Sequence, residues 1–159
     1  MSSFAALLSE EYIVQPMHAT DREGVLRELL HPLRKHQLIS SSEKCLETIL
    51  KRERRMSTGI GKGVALPHGL SSTVADMVVV VGMSSEGVDF KAVDGALCHI
   101  FVLLVSPAQE PDKHLKTLGH VSKLLGDSEL RSALMNTRTA SEVLATFTQW
   151  EAAHEDLPL

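Results

Sequence analysis

The chain is poor in aromatic residues and in cysteine. Phe, Trp and Tyr make up only 4% of its 159 residues, so a core has to be built from aliphatic side chains. Two cysteines, Cys45 and Cys98, are too few for the disulfide framework that staples small secreted domains. Each sits in an apolar pattern and reads as a buried free thiol. No apolar run approaches the ~20 residues that span a bilayer. Met1 to Thr20 lacks a basic start followed by an apolar block, so no signal peptide is expected and a cytoplasmic location is. The net charge is −4, and there is neither a basic run nor an aromatic stacking series, which excludes a nucleic-acid binder. Metal-ligand spacings such as C-x-x-C and H-x-x-x-H are missing, and so is the G-x-S-x-G elbow of a serine hydrolase. No metal or other cofactor is expected.

What is present is an ordinary globular composition, 43% hydrophobic and 23% charged, in a length that suits one domain. Tyr12-Ile13-Val14 reads as an edge strand. Thr20 with Glu23, Ser40 with Glu43 and Thr139 with Glu142 read as capping boxes, each opening a helix. The first helix carries Val25, Leu26, Leu29, Leu30 and Leu33 at helical spacing, and the second carries Cys45, Leu46, Ile49 and Leu50 and should end near Arg55. Met77 to Val81 is a β-branched apolar run, as expected of a strand covered on both faces. Val88 to Phe90 and Leu97 to Val105 read as two further strands, with Asp94-Gly95 as the turn between them. Pro111 fits the first turn of another helix, whose stripe is Leu115, Leu118, Val121, Leu124 and Leu125. A short helix around Glu129 to Met135 and a last one carrying Val143, Leu144, Phe147 and Trp150 complete the chain. The predicted fold is α/β (α+β), a mixed β-sheet sandwiched between helices in a single domain over residues 1–150. Residues 151–159 are expected to be a loose tail.

The most specific stretch is Gly59-Ile60-Gly61-Lys62-Gly63-Val64-Ala65-Leu66-Pro67-His68-Gly69. Its glycines permit close backbone approach. Pro67 restricts the entry to His68, and Gly69 lets the chain turn away. The glycines match neither G-x-G-x-x-G nor G-x-x-x-x-G-K-[ST], and they lead into a short strand up to Leu66 rather than a long helix, so a nucleotide loop is excluded. A stiffly held histidine near free backbone N–H groups suits anion chemistry.

Arg52-Glu53, Ser57-Thr58-Gly59-Ile60-Gly61 and Ala65-Leu66-Pro67-His68-Gly69 together resemble the signature of the enzyme IIA domains of the bacterial sugar phosphotransferase system, fructose/mannitol type, which include a nitrogen-related regulatory branch. The resemblance runs from about Leu7 to Trp150. It implies that His68 accepts a phosphoryl group, with Nε2 as the reactive atom. Phosphoryl transfer to imidazole needs a neutral ring, and histidine's ordinary pKa of ~6.5 provides it near neutrality. The other ring nitrogen has to be held by a backbone carbonyl or a side chain.

Four further positions follow. Arg52 shares a helix face with Cys45 and Ile49, within about 60° at ~100° per residue, and its planar fork suits a phosphoryl oxygen. His114 falls in phase with Leu118, Val121 and Leu125, faces inward, and lies in a first helical turn. The resemblance implies that it contacts the phosphoryl group beside His68. Ser57 and Thr58 are candidate phosphate-binding residues through hydroxyl or N–H groups. His120 shares the polar face with Lys113, Lys116 and Lys123 and is expected in solvent. Met56 and Lys62 depart from the family pattern, where glycine and asparagine are common, and Lys62 is expected to add positive charge near His68.

By the resemblance, the partners are a histidine-containing phosphocarrier protein as donor and an enzyme IIB component as acceptor. In the regulatory branch the phosphorylation state of His68 would instead control binding to a target protein. Neither nucleic acid nor membrane insertion is expected. An apolar rim is expected around the His68 loop.

Overall fold

The computed structural model describes residues 3–154. The centre of the fold is β6 (Cys98–Pro107), an almost wholly buried strand. It pairs antiparallel with β5 (Val78–Val88), in the register Val80 to Leu103 and Val81 to Val102. Beyond β5, the short β1 (Ile13–Val14) adds in parallel. On the other side of β6, two short strands run along it one after the other. These are β3 (Val64–Ala65) and β4 (His68–Ser71), both parallel to it. β2 (Gly59–Gly61) pairs antiparallel with β3 and closes the six-stranded mixed sheet.

The helices are α1 (Arg22–Lys35), α2 (Ser42–Arg55), α3 (Pro111–Leu125), α4 (Ser128–Met135) and α5 (Ala140–Ala153). Side chains alternate across a strand, so β6 serves both faces. Phe101, Leu103 and Val105 pack into a cluster with Leu26, Leu29, Leu33 and Ile49 of α1 and α2. Ile100, Val102 and Leu104 pack with Val121, Leu125, Leu134 and Phe147 of α3, α4 and α5. The mixed sheet is thus sandwiched between helices, as the sequence predicts. None of the helices among the described residues is long and apolar enough to cross a membrane.

Several local expectations shift. Thr139 accepts from the Glu142 N–H as expected. The caps of α1 and α2 lie one residue further on: Asp21 accepts from Gly24 N–H and Ser41 from Lys44 N–H. Either Thr20 or Asp21, and either Ser40 or Ser41, has the chemistry of a cap, so residue type alone did not fix the position. Val88 to Phe90 is not a separate strand. β5 continues to Val88 through an irregular stretch that includes Gly87 at φ 84°, a conformation open to glycine. The last helix passes Trp150 and reaches Ala153. Glu151, expected in the loose tail, accepts the N–H groups of Phe4 and Ala5 at 2.9 and 2.7 Å. Residues 155–159 of that expected tail lie outside the described residues.

Pro67 explains the break between β3 and β4. It has no N–H to give to the ladder, while its carbonyl accepts from Leu104 N–H at 3.0 Å. The interruption sets His68 down as the first residue of β4.

Candidate functional site

His68 is half-buried, and its Nδ1 lies 2.8 Å from the Leu66 carbonyl. A carbonyl only accepts, so Nδ1 carries the proton and Nε2 keeps its lone pair. The neutral ring is favoured: burial lowers the pKa of His68 and the Arg52 charge lowers it further, while the Leu66 hydrogen bond and Glu53 pull the other way.

His114 is brought beside it. It occupies the first turn of α3, is only 4% exposed, and its ring centre stands 5.5 Å from that of His68. Its Nδ1 is 2.7 Å from the hydroxyl of Ser106, a fully buried residue near the end of β6. Burial, reinforced by the neighbouring His68, depresses its pKa to about 4. Sequence reasoning passed over Ser106. The available signal was a lone hydroxyl inside the apolar run Leu103-Leu104-Val105-Ser106-Pro107, where a buried polar group needs a partner.

Arg52 lies in the last turn of α2, where its Nη1 donates to the Met56 carbonyl at 2.9 Å. The bond caps a helix end that otherwise leaves carbonyls free. It also fixes the guanidinium. Arg52, His68 and His114 share one cavity of about 520 Å³, together with Lys51 and Arg55. Among the described residues, no carboxylate lines that cavity. The arrangement presents one free imidazole nitrogen to a cationic recess, which suits an anionic electrophile.

Ser57 and Thr58 are placed differently from the expectation that they bind phosphate. The Ser57 hydroxyl donates to the Phe90 carbonyl and accepts from Gly59 N–H. Thr58 is buried, and both its N–H and its hydroxyl donate to the carboxylate of Glu53, itself 2% exposed. Both hydroxyls and the Thr58 N–H are thus bonded within the protein, where they anchor the loop. A separate groove of about 470 Å³ runs past this loop to His68 and is lined by Met56, Ile60, Leu66 and Val93 among others. Met56 and Val93 are 68% and 77% exposed. This is the apolar rim that the sequence reading expects.

Three further expectations change. Lys62 lines neither cavity that contains His68; it sits in the β2–β3 turn. His120 is not in solvent: its side chain is largely buried, with Glu151 of α5 3.5 Å from its Nε2. Helical phase identified the face of His120 but not the second layer packed on it. Leu115, expected in the core stripe, is 66% exposed.

Comparison with known proteins agrees with this geometry. The sequence model for "Phosphoenolpyruvate-dependent sugar phosphotransferase system, EIIA 2" matches residues 6–150. The PTS system fructose-specific EIIABC component of Bacillus subtilis is 29% identical over 90% of this chain, which spans only 22% of that longer protein. The crystal structure of the nitrogen regulatory protein IIA-Ntr from Neisseria meningitidis superposes with a TM-score of 0.82 at 28% identity, covering 90% of this chain and 97% of that one. The enzyme IIA in the Escherichia coli complex of mannitol IIA with phosphorylated mannitol IIB shares the fold, at a TM-score of 0.76 and 23% identity over 89% of this chain and 97% of that one. The cavity around His68, the sheet that carries it and the matched span lead to one conclusion: the chain belongs to the EIIA 2 family of the phosphoenolpyruvate-dependent sugar phosphotransferase system.

Proposed function

We propose that this protein is a phosphoryl carrier that takes a phosphoryl group onto Nε2 of His68 from a phosphohistidine carrier protein and passes it to an enzyme IIB component. The observation that carries the reading is the hydrogen bond from Nδ1–H to the Leu66 carbonyl, which leaves Nε2 as the basic nitrogen at the cavity. In the forward step, the Nε2 lone pair attacks phosphorus in line. The new N–P bond forms as the donor's N–P bond breaks, and the electron pair stays on the donor imidazole. Nδ1–H remains on Leu66 throughout, so no proton has to leave the His68 ring. In the second step a nucleophile of the IIB protein repeats the displacement and His68 recovers its lone pair.

Transfer of this kind is a matter of positioning and charge. The Arg52 guanidinium keeps N–H groups free after its bond to Met56 and stabilises charge on the equatorial oxygens. In this reading the Ser106 hydroxyl, 2.7 Å from His114 Nδ1, is assigned as the donor, so that His114 carries its proton on Nε2 and offers it to the phosphoryl group as a neutral hydrogen bond. Its depressed pKa suits that role, because a neutral donor holds the phosphoryl group without trapping it as an ion pair would. The apolar groove past Met56 and Val93 gives a macromolecular donor a surface to approach.

The test is incubation with phosphoenolpyruvate, enzyme I and the carrier protein, followed by intact-mass measurement. One acid-labile phosphate is expected on the wild type and none on His68→Ala. An unmodified wild type beside a competent cognate donor would overturn the reading.

A second reading is favoured by the likeness to the nitrogen regulatory protein, which this chain covers over 97% of its length. Here phosphorylation of His68 switches binding to a target protein, through about −1.5 to −2 added charges beside the groove. Pulldowns with His68→Glu and His68→Ala, set against phosphotransfer to candidate IIB proteins, separate the two. Efficient delivery to a IIB protein would sink the purely regulatory version.

A further inference from the structure

A cavity of about 440 Å³ opens between the β2–β3 turn and α4, and it shares no lining residue with either cavity that contains His68. Two cations from separate elements face it: Lys62 from the turn and Arg131 from α4. Ser128, Ser132 and Asn136 add hydroxyl and amide groups. Among the described residues, no carboxylate lines it, in a chain whose net charge is −4. Neither Lys62 nor Arg131 is ion-paired with a carboxylate among the described residues. The half-buried Arg131 is held in place, since its Nη1 donates to the Leu125 carbonyl at 2.9 Å. That leaves four guanidinium N–H groups for a ligand. Lys62 stands at φ 57°, a left-handed conformation uncommon for a residue with a Cβ. The turn is fixed there by Asp94, which accepts the Lys62 N–H at 2.9 Å on its backbone side. His99 forms a fixed wall, its Nδ1–H donating to the Ser84 carbonyl at 2.9 Å.

We propose that this cavity is a binding site for a small soluble phosphate ester, with Lys62 and Arg131 on the phosphate oxygens. A tetrahedral dianion uses two cations arriving from different directions together with neutral donors between them, whereas a lone carboxylate would leave part of that set unused. The volume lies within the range of small-molecule sites and exceeds the need of a bare phosphate ion, so the ester has room for an organic part. The site stands independently of the role of His68.

The test is an amide NMR titration of the full chain with glycerol 3-phosphate at constant ionic strength, beside matched titrations with acetate and chloride. Saturable shifts are expected at Lys62, Gly63, Ser128 and Arg131, with acetate and chloride producing much smaller ones. Lys62→Ala and Arg131→Ala should each weaken binding roughly tenfold. Arg131 also bonds the backbone, so if its replacement disturbs the wild-type spectrum, Lys62→Ala on the exposed turn decides. Absent saturation, equal response to acetate, or undiminished affinity in Lys62→Ala would overturn the proposal. A parallel arm with phosphatidylglycerol vesicles distinguishes the source of the phosphate. Vesicle binding that depends on Lys62, without any response to glycerol 3-phosphate, would overturn the assignment to a soluble ester.

Discussion

At the scale of single residues, the proposed chemistry rests on which protonation state each imidazole holds. Burial lowers the pKa of His68, so its nucleophilic form persists below the ordinary histidine value. The rate of phosphoryl acceptance should therefore stay flat from pH 8 to about 6.5 and fall only at lower pH, as rapid-quench kinetics with the carrier protein can show; a fall beginning above pH 7 would contradict this. Replacing His114 with Ala should slow transfer by roughly 100- to 1,000-fold while leaving the phosphate on His68, the loss expected for one hydrogen-bond donor to the transferring group. Ser106→Ala should act in the same direction but more weakly, because it frees the His114 ring without removing it. His68 and His114 were legible in the sequence, the first from its Pro-His-Gly setting and the second as an inward-facing residue from helical phase, with its place beside His68 implied by the family resemblance. Ser106 was not, because its significance depends on the register that lays the end of β6 against the first turn of α3. Ser57 and Thr58 were legible as loop residues, but the direction of their donors depends on the buried Glu53 carboxylate.

At the scale of elements, the loop between α2 and β2 is what sets Arg52 against His68. Glu53 accepts two bonds from Thr58 at the point where the helix ends. Thr58→Val keeps the shape but removes the hydroxyl, leaving part of a buried carboxylate unpaired. Denaturant unfolding should show a loss of about 1–3 kcal/mol, together with reduced transfer because Arg52 sits on the preceding turn. Gly59 is equally constrained. A Cβ there would stand 2.9 Å from Ala92 Cα and Cβ, so Gly59→Ala forces β2 away from its neighbour and should lose a similar amount. Strong periodicity made the long elements readable: α1, α2 and the valine run of β5 follow from spacing alone. The short strands were harder. The short strand up to Leu66 corresponds to β3, but β2 and β4, of three and four residues, owe their existence to pairing with β3 and β6, an interaction between separate segments that no local window contains.

At the scale of the whole molecule, one central strand divides the interior into two aliphatic clusters, and the site lies where both helical layers meet its end. α2 supplies Arg52 from one layer and α3 supplies His114 from the other. The two-sided core could be read from β6 and β5, whose residues are apolar on both faces. The burial of His120 beside Glu151 could not, since helical phase names a face without naming what covers it. Burying His114 neutral links the site to global stability. Its folded pKa, about 4, lies below the unfolded value, so the unfolded chain binds more protons between those limits. Stability is therefore full above pH ~6.5 and declines as pH falls towards 4. The thermal midpoint should drop by several degrees between pH 7 and 5, and a smaller drop is expected in His114→Phe, which has no proton to gain. The measurement that bears most directly on the central claim is phosphorus and nitrogen NMR of the protein after phosphorylation by its cognate donor. The account predicts a single phosphoramidate signal coupled to Nε2 of His68, with the Nδ1 proton retained. A phosphate on Nδ1, or on any other residue, would contradict it.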